Sequence, residues 1–175
     1  MRTKELVILS LFVAIGVALH AIVPPIFNGM KPDMMLLMMF LGIFLFPGMT
    51  NAGLLGIATG ILSGLTTSFP GGLVPNIIDK ILTAFLIYFL FLALKPLKQA
   101  IARAGILTVI GTLISGTVFL LAALLLVGLP GGAGFTALFL AVVLPATVIN
   151  TIAMVIIYPI VESILKRSNV LSENK

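Results

Sequence analysis

The chain has 175 residues, 61% of them hydrophobic and 9% charged, with a formal net charge of +5 and no cysteine. A mean hydropathy of +1.31 excludes a water-soluble domain, and the missing cysteines exclude a disulfide framework and thiolate metal sites; a single histidine, His20, cannot build a histidine cluster. The basic residues stand at the ends of apolar runs instead of forming a stripe interleaved with aromatics, so the expected partner is a lipid bilayer and not nucleic acid.

Apolar runs bounded by Pro, Gly, Asn or charge predict an all-α, polytopic membrane protein. Its single domain, 1–175, is a compact bundle of six transmembrane helices at about 5–23, 33–46, 53–68, 77–94, 106–129 and 137–165. The first segment carries Ser10, Ala14 and Ala18 at four-residue spacing, a smooth stripe suited to a neighbouring helix or another subunit. It reads as a retained span and not a cleaved signal, because no good small-x-small cleavage site follows the apolar stretch: His20 falls among the candidate small positions and Pro24-Pro25 comes next.

Segment two opens with Met30-Lys31-Pro32-Asp33-Met34-Met35. Lys31 and Asp33 are ionisable groups at the membrane edge, and Met34 and Met38 are adaptable side chains able to line a pocket for a flat ring. Segments two and three are short, since a helix of about 16 residues reaches roughly 24 Å against a hydrocarbon core of roughly 30 Å. Either the helices extend beyond the apolar runs or the bilayer thins around them. Gly56, Gly60 and Gly64 align on one face of segment three, where another backbone can approach closely.

The connection Phe69-Pro70-Gly71-Gly72 and the later Pro130-Gly131-Gly132 fit plain turns or a lid over a pocket; neither is followed by Gly-Lys-Ser or Gly-Lys-Thr, so neither is a phosphate loop. Pro75-Asn76-Ile77-Ile78-Asp79-Lys80 opens segment four and places Asn76, Asp79 and Lys80 on one face. A cation and an anion at the mouth of a bundle can grip a zwitterion such as an amino acid. The same pattern fits a helix start, with Asn76 as N-cap and Lys80 snorkelling to the interface, and both readings stand. In segment six, Asn150 lies near mid-membrane beside Thr147, Thr151, Met154 and Tyr158, where an amide needs another helix or a ligand as partner.

Eight of the ten Lys and Arg residues fall on one side: Arg2, Lys4, Lys95, Lys98, Arg103, Lys166, Arg167 and Lys175. Cytoplasmic enrichment of Lys and Arg then predicts that both termini are cytoplasmic, which six spans satisfy. With no Gly-x-Ser-x-Gly, no His-Glu-x-x-His and no paired carboxylates within a span, no enzyme, metal site or cofactor is expected.

The strings from Lys31 to Phe40, Pro75 to Lys80, Gly128 to Gly132 and Asn150 to Ile152 resemble the TrpP family of bacterial tryptophan transport proteins over nearly the whole chain. The six-span layout with its small-residue first helix also resembles the substrate-binding S-components of energy-coupling factor (ECF) transporters. That resemblance implies a subunit of the bacterial cell membrane that captures tryptophan from outside and docks on a transmembrane coupling protein carrying two ATPase subunits. It implies docking through Ser10, Ala14 and Ala18 and a ligand pocket near the outer face. Within that pocket the side-chain chemistry assigns Asp79 or Asp33 to the ammonium and Lys80 or Lys31 to the carboxylate. Asn76 and Asn150 are left for hydrogen bonds, and Met34, Met38 and Phe69 for the indole. The alternatives are an ion-gradient-driven carrier, an S-component for another aromatic solute or vitamin, and a structural membrane subunit without a ligand.

Overall fold

The computed structural model describes residues 3–24, 33–132 and 134–168. Six main helices run through them: α1 (Thr3–Ile22), α2 (Met34–Leu45), α3 (Met49–Leu65), α4 (Leu73–Ala93), α5 (Ala100–Leu126) and α6 (Phe135–Arg167). Four of these, α1, α4, α5 and α6, are long and apolar enough to cross a membrane. Their outward faces carry Val7, Leu11, Leu82, Phe89, Leu125 and Ile152, all exposed, as a lipid-solvated bundle requires. The chain is therefore an all-helical, multi-pass membrane protein.

Helix α2 explains why a short apolar run can sit in a membrane bundle. Every residue from Met35 to Leu45 is buried, so this 12-residue helix is packed by protein on all sides. At about 1.5 Å per residue it is roughly 18 Å long, and it needs no match to bilayer thickness because its neighbours, not lipid, surround it. Met39, Phe40 and Phe44 join Leu9, Ile87, Leu107 and Met154 in the main core. Helix α3 starts at Met49, ahead of the apolar run that begins at Gly53, because the Asn51 amide donates to Phe46 O at 3.0 Å and ties the turn between α2 and α3.

The three aligned glycines of α3 are the seam for α4. A Cβ on Gly56 would lie 3.1 Å from Lys80 O, one on Gly60 would lie 3.0 Å from Ile77 Cα, and one on Gly64 would lie 2.9 Å from Leu73 Cα. The stripe thus serves packing within this chain, bringing the α4 backbone against α3 at the level of Asn76 and Lys80. The α1 face that meets α2 uses Gly16, where a Cβ would approach Met35 Sδ to 2.9 Å. At the opposite pole from the site described below, Arg103 stacks over Phe91 with its guanidinium carbon 4.6 Å from the ring centroid.

Helix α6 is not regular. Leu144 N–H donates to Phe139 O, five residues back, closing a π-turn over Phe139–Val143. Pro145 follows at once, and since it lacks an N–H and its ring crowds the preceding turn, the widened turn is where the helix absorbs it.

Candidate functional site

Asp79 and Lys80 lie in the second turn of α4, one turn beyond the helix start that Gly72 caps. Adjacent residues on a helix point about 100° apart, yet both are 1% exposed. Lys80 Nζ bends back to Asp79 Oδ2 at 2.5 Å and reaches Asp33 Oδ2 at 2.6 Å, bridging two carboxylates. Asp79 is held further by the Ser115 hydroxyl of α5, donating to Oδ2 at 2.8 Å, and by the Thr83 hydroxyl, donating to Oδ1 at 2.9 Å. Asp33 is the N-cap of α2: its Oδ1 accepts from Leu36 N–H at 2.9 Å, and His20 Nδ1 of α1 stands 3.8 Å from the same oxygen.

Four helices therefore converge on one ionic cluster. Lys80 does not snorkel, because Asp79 and Asp33 supply inside the bundle the anionic partners that water would supply outside it. Nor does Asn76 cap α4. It sits inside the first turn, where its Nδ2 donates to Gly72 O at 2.7 Å and its Oδ1 accepts from the Ser63 hydroxyl of α3 at 3.0 Å.

These groups form one wall of a part-open cavity of about 80 Å³, measured as the room for the centre of a water-sized sphere. Facing the charges is an apolar wall from Leu36, Gly116, Phe119, Val142, Val143 and Ala146. Phe69, from the loop between α3 and α4, meets Phe119 edge-on at 5.1 Å between centroids. Gly71, at φ +71°, lets that loop turn down onto α5, where a Cβ would stand 2.8 Å from Val127 Cγ1. Asn150 lies at the other end of the apolar wall, 1% exposed, with Nδ2 3.5 Å from Thr112 Oγ1 and with Oδ1 lacking a hydrogen-bond partner among the described residues.

Among the site residues expected from sequence, the structure brings together Asp33, Phe69, Asn76, Asp79, Lys80 and Asn150 around this cavity. Lys31 lies outside the described residues. Met34 and Met38 do not line the cavity: Met38 is in the main core and Met34 packs against it. The reason is helical phase, since Asp33 and Leu36 turn one side of α2 to the cavity while Met34 and Met38, four residues apart, share another.

Four further polar residues line the cavity without a ligand role expected from sequence: His20, Thr67, Thr112 and Ser115. The signal for the last two was present: Thr108, Thr112 and Ser115 recur at i, i+4 and i+7 in an otherwise apolar span, and Phe119 continues the stripe. Ser10, Ala14 and Ala18 are exposed on the flank of α1. Among the described residues, no group of three or more His, Cys, Asp or Glu side chains is placed to hold a metal ion.

Comparison with known proteins gives a consistent result. Residues 2–166 match the family model described as tryptophan transporter TrpP. A protein of Bacillus subtilis named "probable tryptophan transport protein" is 61% identical over 175 residues, covering all of both chains. Proteins of the same name from Clostridium acetobutylicum and Clostridium perfringens are 47% and 41% identical, covering 95% and 97% of this chain and 96% and 97% of their own. No solved structure matches the chain.

Proposed function

The chain belongs to the tryptophan transporter TrpP family, and from that premise we propose that it transports tryptophan as the substrate-capturing subunit of an ECF-type system in the bacterial cell membrane. The observation that carries this reading is the cavity's division into an ionic wall and an apolar wall. An aromatic amino acid has the same division, and both of its charges must exchange water for partners when it leaves solution.

Asp33 and Asp79 offer carboxylate oxygens to the ammonium. Lys80 has three N–H donors, of which two are directed at the aspartates, leaving the third for the ligand carboxylate. The indole lies against Phe69, Phe119 and the α6 wall. In this reading both termini are cytoplasmic, six segments cross the bilayer, and the cavity opens to the exterior. The exposed Ser10, Ala14 and Ala18 stripe on α1 docks on a transmembrane coupling protein that carries two ATPase subunits.

Binding calorimetry on the full chain in lipid nanodiscs tests capture directly: saturable 1:1 tryptophan binding is expected with no other subunit present. Absence of binding, with heat instead from a vitamin or from nothing, overturns it. A second reading has support from one observation, that a buried and a part-buried carboxylate share one lysine, an arrangement suited to carrying a proton or cation. It makes the chain an ion-gradient-driven carrier. Uptake that stops on ATPase inactivation and survives collapse of the proton gradient favours the capture subunit; the opposite pattern favours the carrier.

A further inference from the structure

In the ionic cluster Lys80 is paired with both Asp33 and Asp79, whereas the Asn150 amide is left incomplete. Its side chain is 1% exposed, its Nδ2 faces Thr112 Oγ1 at 3.5 Å, and its Oδ1 has no hydrogen-bond donor among the described residues, while Asn150 is one of the residues that line the cavity. A buried carbonyl oxygen without a donor is uncommon in native structures and calls for an explanation such as an occupant that supplies one.

The donor can be characterised from the surroundings. Val142, Val143 and Ala146 precede Asn150 on the same face of α6, and Gly116 of α5 faces them. These residues offer an apolar surface to a flat group whose edge meets Oδ1. Along α5, Thr112 beside Asn150 lies three residues from Ser115 beside Asp79, so the two polar ends of the cavity are separated by about 4.5 Å of helix rise plus the reach of the side chains. A ligand spanning them carries charges at one end and a lone N–H on an aromatic edge at the other. An indole nitrogen is a donor only, which matches the open acceptor Asn150 Oδ1.

We propose that Asn150 Oδ1 accepts the indole N–H of tryptophan and thereby selects tryptophan over aromatic amino acids that lack a donor at that edge. The inference rests on the capture reading above and adds the residue that sets its specificity. Asn150 discriminates because a ligand without the donor buries the amide oxygen unpaired, and a site built around a hydrogen bond rejects analogues that lack it.

The test uses the full chain in nanodiscs with two probes, tryptophan and its benzothienyl-alanine isostere, in which sulfur replaces the indole N–H at nearly equal size. The unmodified protein is expected to bind tryptophan about tenfold or more tightly than the isostere. Asn150→Leu and Asn150→Ala are each expected to reduce that ratio to within about threefold while retaining affinity for the isostere. Equal binding of the two probes by the unmodified protein overturns the inference, as does a ratio that persists in folded Asn150 variants. Should the variants fail to fold, the ratio measured on the unmodified protein still decides. Binding of neither probe by the unmodified protein overturns the capture reading, and this inference with it; tryptophan binding without discrimination overturns this inference alone.

Discussion

A lysine 1% exposed inside a membrane bundle would be unstable as an ammonium without anions around it, and Lys80 has two within hydrogen-bond reach. Its removal leaves Asp33 and Asp79 facing each other with no shared cation. Lys80→Met is therefore expected to lower stability by about 3–5 kcal/mol, the range for breaking one member of a buried charge network. Asp79→Asn added to it should recover part of that loss, since it removes one of the two orphaned charges while the amide oxygen still accepts from one of the Thr83 and Ser115 hydroxyls and the amide NH2 can donate to the other. Thermal melts of the two variants in the same detergent check this; an additive further loss in the double variant would show that the lysine and Asp79 do not compensate each other. The residue types of this network were visible in the sequence as rare ionisable groups in an apolar chain. Their partners were not, because the Asp79–Ser115 contact joins residues 36 apart and depends on how α4 and α5 pack.

At the scale of helices, the position of the network depends on glycine. Gly60 and Gly64 allow α4 to lie against α3 with atoms at the limit of contact, and this closeness holds Asn76 within reach of Ser63. Gly64→Ala would set a Cβ 2.9 Å from Leu73 Cα and O, both backbone atoms that cannot rotate away. The expected cost is about 1–3 kcal/mol of stability, as for overpacking elsewhere. Gly128→Ala is the control, because a Cβ there meets nothing within 4 Å and only its φ of +80° is unfavourable. Comparison of their melting temperatures, with Gly64→Ala the lower, checks the packing argument. The period of the glycine stripe was legible without coordinates; which helix filled it was not. For Met34 and Met38 the chemistry was suitable for an indole, but the phase of α2 turned Asp33 and Leu36 to the cavity instead. Apolar content marks a helix as buried without giving its rotation, and α2 is buried on every side.

At the scale of the whole molecule, α1 presents two different faces. Gly16 packs against α2, while Ser10, Ala14 and Ala18 remain exposed. An Ala14→Phe substitution should leave tryptophan affinity within about threefold and abolish uptake in cells if that stripe docks another subunit, since small residues are what allow close helix approach. Paired measurement of binding and uptake checks it. Loss of both together would place the stripe's role in this chain's own packing.

The amino-acid sequence by itself determined that the chain lives in lipid, that it is helical, and which few polar residues stand among its spans, because hydropathy and spacing are local properties that survive without a fold. Only the tertiary structure decided that Lys80 is shared between Asp33 and Asp79, that Ser115 and Thr112 join the cavity, and that Asn150 is left with an open acceptor. Those facts depend on the rotation of each helix and the distance between helices, which are set by contacts between residues far apart in the chain.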